Sequence, residues 1–205
     1  MRFQIVAVII LLVFYGCYFG KMLMQKQKGI QTDQIGKGKT GLVKIIELTM
    51  KVTTICVPVI EVISISLNMT ALPIWARYSG IVVAILGDVI FIISVWTMRD
   101  SWRAGVSETD KTELVTGGIY QISRNPAFLG FDLVYTGILM MFFNWGLLVV
   151  SVLAALMFHL QIVNVEEDFL MKAFGDEYLE YKKKVNRYLG RKLHNTYMEG
   201  RDERH

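Results

Sequence analysis

Arg124, Asn125 and Pro126 stand side by side in the stretch GIYQISRNPAFLGF, residues 118–131, at the lip of an apolar run. Asparagine is a good helix N-cap and proline a good first helical residue. A helix beginning at Pro126 would aim unpaired N–H groups and a positive dipole end outward, and Arg124 adds a full charge beside them. That combination makes an anion site. The plainer reading of the same residues is a capped helix with an arginine at its edge. Further along, Glu166 and Glu167 open EEDFLMKAFGDEYLEYKKKV, residues 166–185, where Leu170, Phe174, Tyr178 and Tyr181 recur at helical spacings. By itself this is an amphipathic helix lying on a membrane or packing on a loop. Set opposite Arg124, it would complete a polar cup suited to a zwitterion. A carboxylate would face the helix N-terminus, an amine or hydroxyls the glutamates, and a cation the rings.

The elements that must position these groups are membrane spans. The 205-residue chain is 53% hydrophobic with 20% charged residues, and its mean hydropathy is +0.41. Its charges cluster at 21–51, 99–113 and 166–205, with long uncharged runs between them. This is the layout of one polytopic, all-α membrane domain. Spans are expected at 3–20, 52–69 and between Arg77 and Arg99. The run from Leu133 to Val165 is 33 residues without a formal charge. As one straight helix it would be about 50 Å long, against a hydrocarbon core of about 30 Å. It must fold back, and Asn144-Trp145-Gly146 supplies the turn. Helices over 126–143 and 147–165 would then form a hairpin, giving five transmembrane helices.

Orientation follows from the basic residues. Lys21, Lys26, Lys28, Lys37 and Lys39 follow the first span, Arg99, Arg103 and Lys111 the third, and the charged tail 189–205 ends the chain; the turns at 68–74 and 144–146 carry none. All three basic segments therefore belong on the cytoplasmic side, with the N-terminus outside. The open end of the hairpin and any pocket there would be cytoplasmic. The first 20 residues could pass for a signal peptide but lack a small-residue cleavage site, so they read as a retained span. A multi-pass protein of a cell inner membrane is expected.

Other signals carry less. The basic residues flank apolar runs and form no separate basic domain, which argues against nucleic acid as a partner. Cys17 and Cys56 both sit in apolar runs and read as packing residues. His159, His194 and His205 show no metal spacing. GKGKTG at 36–41 lacks the first glycine of a phosphate loop, Asp33 standing in its place. Glu61 and Asp88 interrupt the second and third spans. Intramembrane acids usually face the bundle interior. They could bond across helices to Ser94, Thr53 or tyrosines, or serve a small transporter; a non-catalytic membrane scaffold is the other alternative.

LVTGGIYQISRNPAFLGF (114–131) followed by EEDFLMKAFGDEYLEYKKKVNRYL (166–189) resembles the isoprenylcysteine carboxyl methyltransferase family and its bacterial relatives, and is similar to the phospholipid N-methyltransferases. The likeness is strongest over 99–188. It implies an integral membrane methyltransferase using S-adenosylmethionine, held between the loop before the hairpin and the segment after it. It implies a cofactor site at Leu114, Val115, Gly118, Tyr120, Arg124, Asn125, Pro126, Phe128, Leu129, Glu166, Glu167, Tyr178 and Tyr181. Arg124 and Glu167 would be the catalytic pair, Arg124 holding a carboxylate. Arg99, Trp102, Arg103 and His159 are acceptor-site candidates. Ile162 stands where the eukaryotic pattern has an arginine, so a prenylated cysteine, a phospholipid amine and a small hydrophobic acid all stay open as acceptors. No metal is required, and oligomeric state has no signal.

Overall fold

The computed structural model describes residues 1–36, 38–105 and 113–192. Lys37, Lys111, His194, His205 and most of the charged tail lie outside the described residues. Among the described residues six α-helices follow in order: α1 Arg2–Gln27, α2 Gly41–Ser66, α3 Ile74–Met98, α4 Pro126–Met141, α5 Trp145–Gln161 and α6 Glu167–Lys184. Short 3-10 turns occupy Arg99–Ser101 and Gly118–Gln121, and a π-helical turn, Ile162–Glu166, joins α5 to α6. Among the described residues four helical stretches are long and apolar enough to cross a membrane, beginning at Arg2, Gly41, Ile74 and Trp145; α4 is apolar but only 16 residues long. Among the described residues no strand occurs, only the isolated bridges Asp33–Ala104 and Val185–Arg191.

The second span differs from the sequence expectation. It begins at Gly41 rather than near Val52 and ends at Ser66. Lys44, Glu47 and Lys51 break the apolar run there but not the helix. Glu47 is fully buried and Lys51 reaches Asp33 at 2.8 Å, so tertiary partners absorb the charges. The turn before α5 also shifts. Asn144 is the N-cap, its Oδ1 accepting from the Leu147 N–H at 2.9 Å, so Trp145 and Gly146 are already helical. The cap's amide also donates to Ser64 Oγ at 2.7 Å, tying this turn to the end of α2.

α4 packs along α3, and α5 along α2. The first pair is close because glycines face each other. A Cβ on Gly137 would lie 2.6 Å from the Ala84 Cβ and from the Gly80 carbonyl; one on Gly130 would lie 2.8 Å from the Phe91 Cβ. The core sits where α1 meets this pair: Phe14, Phe91 and Phe131 meet at centroid separations of 4.7–5.2 Å. At one end of the bundle, residues 25–36 and 102–104 are stitched together. Gln25 donates to the Trp102 carbonyl, Gln34 N–H to the Ala104 carbonyl and Ala104 N–H to the Thr32 carbonyl.

Candidate active site

At that same end the loop 118–125 and the segment 178–191 are bonded to each other. Tyr181 Oη donates to the Tyr120 carbonyl at 2.6 Å, the Arg124 N–H to the Asn186 carbonyl at 3.1 Å, and the Gly190 N–H to the Ile122 carbonyl at 2.8 Å. Asn125 stands at the N-cap position of α4 but does not cap it. Its amide donates instead to the Arg187 carbonyl at 3.0 Å. The expected cap is thus a cross-link between loop and C-terminal segment, and no side chain caps the first turn of α4.

Arg124 and Glu167 are both buried and form an ion pair at 3.1 Å. Arg124 Nη1 also donates to Tyr178 Oη at 2.8 Å. Glu167 takes two more cations: Arg187 donates Nε to Oε1 at 2.7 Å and Nη2 to Oε2 at 3.2 Å, and Lys182 reaches Oε2 at 3.0 Å. Burial raises the Glu167 pKa, but the bonds from Arg187 and Lys182 and the charge of Arg124 outweigh it and hold the group at about 2. Its neighbour looks elsewhere. Glu166 is half-buried, 3.4 Å from Gln161 Nε2, which is also 3.5 Å from Glu47 Oε1. Burial pushes Glu166 up to about 7, the Gln161 amide opposing this and the Glu47 carboxyl adding to it. The expected glutamate pair therefore splits into two separate sites. Successive helical side chains diverge, and the π turn ending at Glu166 sets the direction in which each points.

The tyrosine stripe of α6 holds despite a break at Gly175, whose φ of 49° and ψ of −120° interrupt the helix. Tyr120, Tyr178, Tyr181 and Val185 form a buried cluster with Leu114, Val115, Leu170 and Phe174 against it. The packing reading of that stripe and the site reading are compatible, because the cluster walls a cavity.

The cavity has a volume of about 800 Å³. Its polar lining, Asp33, Lys51, Arg103, Arg124, Asn125 and Glu166, comes mainly from loops and helix ends, and we term it the mouth; its apolar and aromatic lining, Pro58, Val59, Phe91, Phe131 and Phe158, comes from further along the helices, and we term it the bore. Of the residues singled out in the sequence, Trp102, Arg103, Leu114, Val115, Tyr120, Arg124, Asn125, Phe128, Glu166 and Tyr181 line it. Gly118, Pro126, Leu129, Glu167 and Tyr178 do not line it. Gly118 packs against Thr97 with φ of +58°, and Glu167 and Tyr178 grip Arg124. Arg99 and His159 are not brought to the cavity. Arg99 is exposed where α3 ends, and His159 pairs with Tyr188, its ring stacked on that tyrosine at 6.0 Å.

Sequence reasoning missed the N-terminal wall: Tyr15, Tyr18, Asp33, Met50 and Lys51 all line the cavity. The one signal was Lys51, a charge at the end of an apolar run. The intramembrane acids also resolve. Thr53 and Ser94 donate to their own helices, at the Thr49 and Ile90 carbonyls, and so do not partner Glu61 or Asp88. Cys17 and Cys56 are free thiols. Among the described residues no cluster of three metal-ligating side chains occurs.

The described residues thus form a bundle of apolar helices around a cavity lined by both charged and aromatic side chains. Residues 75–177, just over half of the chain, match the family described as phospholipid methyltransferase, and the chain belongs to that family. It is also similar to proteins named for isoprenylcysteine methylation. A probable protein-S-isoprenylcysteine O-methyltransferase of Oryza sativa subsp. indica is 33% identical over 114 residues, 55% of this chain and 60% of the relative. The protein-S-isoprenylcysteine O-methyltransferase of Xenopus laevis is 31% identical over 113 residues, 54% of this chain and 39% of the relative. That of Saccharomyces cerevisiae is 32% identical over 108 residues, 52% and 45%. The matched region thus spans less than two thirds of these relatives' lengths.

Proposed function

We propose that the protein transfers a methyl group from S-adenosylmethionine to a lipid-like or hydrophobic acceptor, carboxylate or amine, at the cytoplasmic face of its membrane. The observation that carries the reading is the two-ended cavity, polar at Arg103, Arg124, Asn125 and Glu166 and apolar beyond. When bound, the cofactor supplies a methyl group on a positively charged sulfur. The residues present fit it. Arg124 Nε is buried and makes no hydrogen bond, leaving a donor unspent at the mouth. Arg124 would hold the cofactor carboxylate, and Glu166 its amine or hydroxyls. Leu114, Val115, Tyr120, Phe128 and Tyr181 would enclose it. Glu167 and Tyr178 would act through Arg124 by holding it in place.

The chain's own contribution is to align the two reactants and exclude water. Alignment supplies most of what a displacement of this kind requires. Trp102 and Arg103, both in the lining, would meet the acceptor head. For an anionic acceptor, charge falls as the methyl moves, so the dry aromatic wall accelerates the step. The relatives' names favour a carboxylate and the family description a phospholipid. Ile162, fully buried, offers no charge where an arginine would be expected. We further read the chain as five crossings with α4 and α5 as a transmembrane helical hairpin, the N-terminus outside, which the placement of the basic residues supports.

Calorimetric titration of S-adenosylmethionine or its demethylated product into detergent-solubilised protein tests the reading. The expected result is saturable binding, weakened at least about tenfold by Arg124→Ala through loss of a charge-assisted bond. Absence of heat at millimolar cofactor overturns it. Labelled-methyl transfer into a total lipid extract then identifies the acceptor.

A further inference from the structure

The bore of the cavity is not uniformly apolar. Tyr15 from α1 and Tyr135 from α4 line it among Phe131 and Phe158. Tyr135 is 2% exposed, stacked on Phe158 at 6.2 Å and edge-on to Phe131 at 5.9 Å. A phenylalanine would keep that ring packing, so packing does not call for the hydroxyl. The hydroxyls of Tyr15 and Tyr135 are both buried and lie close enough to interact with one another, but neither meets hydrogen-bond geometry with the other or with any other described group. Behind them lies Glu61 of α2, fully buried, with both carboxyl oxygens in the same condition. It is close enough to both tyrosines to interact with them electrostatically.

Two helices thus deliver hydroxyls to the lining of an apolar channel, and a third sets a carboxyl within electrostatic reach of both. Each unpaired buried group costs about 1–3 kcal/mol, and ionisable residues at membrane depth are by default functional. We propose that Tyr15 and Tyr135, backed by Glu61, form a polar collar that receives an oxygen function, such as a hydroxyl, carried part-way along the tail of the molecule occupying the bore. The inference rests on the reading of the bore as the acceptor's tail site. It adds that the tail is read at one fixed depth, so a plain hydrocarbon chain is the poorer ligand.

The test is displacement of cis-parinaric acid from the detergent-solubilised full chain by stearic acid and by 5-, 9- and 12-hydroxystearic acid. Comparing wild type with Tyr135→Phe in the same micelles cancels partitioning. One positional isomer should beat stearic acid about tenfold more strongly on the wild type than on Tyr135→Phe, the worth of one buried hydrogen bond. Tyr15→Phe and Glu61→Gln should blunt preference for that same isomer. If every isomer behaves like stearic acid on all four proteins, the collar holds water only and the proposal is overturned. Failure of any fatty acid to displace the probe overturns it too. Labelled-methyl transfer run in parallel separates the two readings. Isomer preference without methylation removes the proposed function alone, and methylation without preference removes the collar alone.

Discussion

At the residue scale the arrangement turns on Glu167, one carboxylate shared by three cations. Removing its charge leaves buried Arg124 without a counter-ion. Such a change costs about 3 kcal/mol, at the lower end for a buried pair because Lys182 and Arg187 keep about a third of their exposure. Glu167→Gln should therefore lower the thermal midpoint in detergent by several degrees and weaken cofactor binding in step with Arg124→Ala. The pH dependence has a definite sign. The folded carboxyl titrates at about 2 against an ordinary 4.5, so its contribution to stability is complete above 4.5 and is lost as pH falls toward 2. Wild-type stability should fall over that window more steeply than that of Glu167→Gln, as circular dichroism melts would show. Arg124 and the acid pair were legible as chemistry in the sequence. That the two glutamates serve different clusters was not, because adjacent residues in a sequence carry no record of which neighbours a π turn gives them.

At the element scale the closest contact is α3 against α4. Gly137→Ala would put a methyl group 2.6 Å from the Ala84 backbone nitrogen and Cβ, where neither helix can yield without separating. The expected loss is about 1–3 kcal/mol by overpacking. Gly117→Ala, with nothing within 4 Å of the new Cβ, should be near neutral, and the pair of melts checks both. The helices themselves were largely readable from hydropathy. Their ends were not. α2 runs eleven residues further back than the apolar run, since Glu47 and Lys51 have partners there that a hydropathy window cannot see. Asn125 and Asn144 look alike as caps, yet one caps and the other spans to Arg187. Propensity names a residue able to cap, and the competing partner decides whether it does.

At the scale of the whole molecule the site belongs to both halves of the chain. Tyr15, Tyr18, Asp33 and Lys51 share a cavity with Arg124 and Glu166, although the motifs concentrate in the second half. Exposed Lys28 and Lys183 lie on that end, and exposed Thr70 follows α2 at the other end of the helix. Single cysteines at these positions, in the Cys17→Ala, Cys56→Ala background, should label from opposite sides in sealed vesicles. Lys28→Cys and Lys183→Cys should react from the cytoplasmic side and Thr70→Cys from outside; labelling of all three from one side would end the proposed topology. The sequence by itself determined the apolar helical stretches, the alternation of basic loops and the polar residues at their edges, because hydropathy and charge act locally along a chain. Only the tertiary structure decided which of those residues share the cavity, which merely support it, and that two phenols in its lining, from different helices, stand within electrostatic reach of an acid from a third. Convergence depends on how helices pack, and packing is set by contacts between residues far apart in the chain.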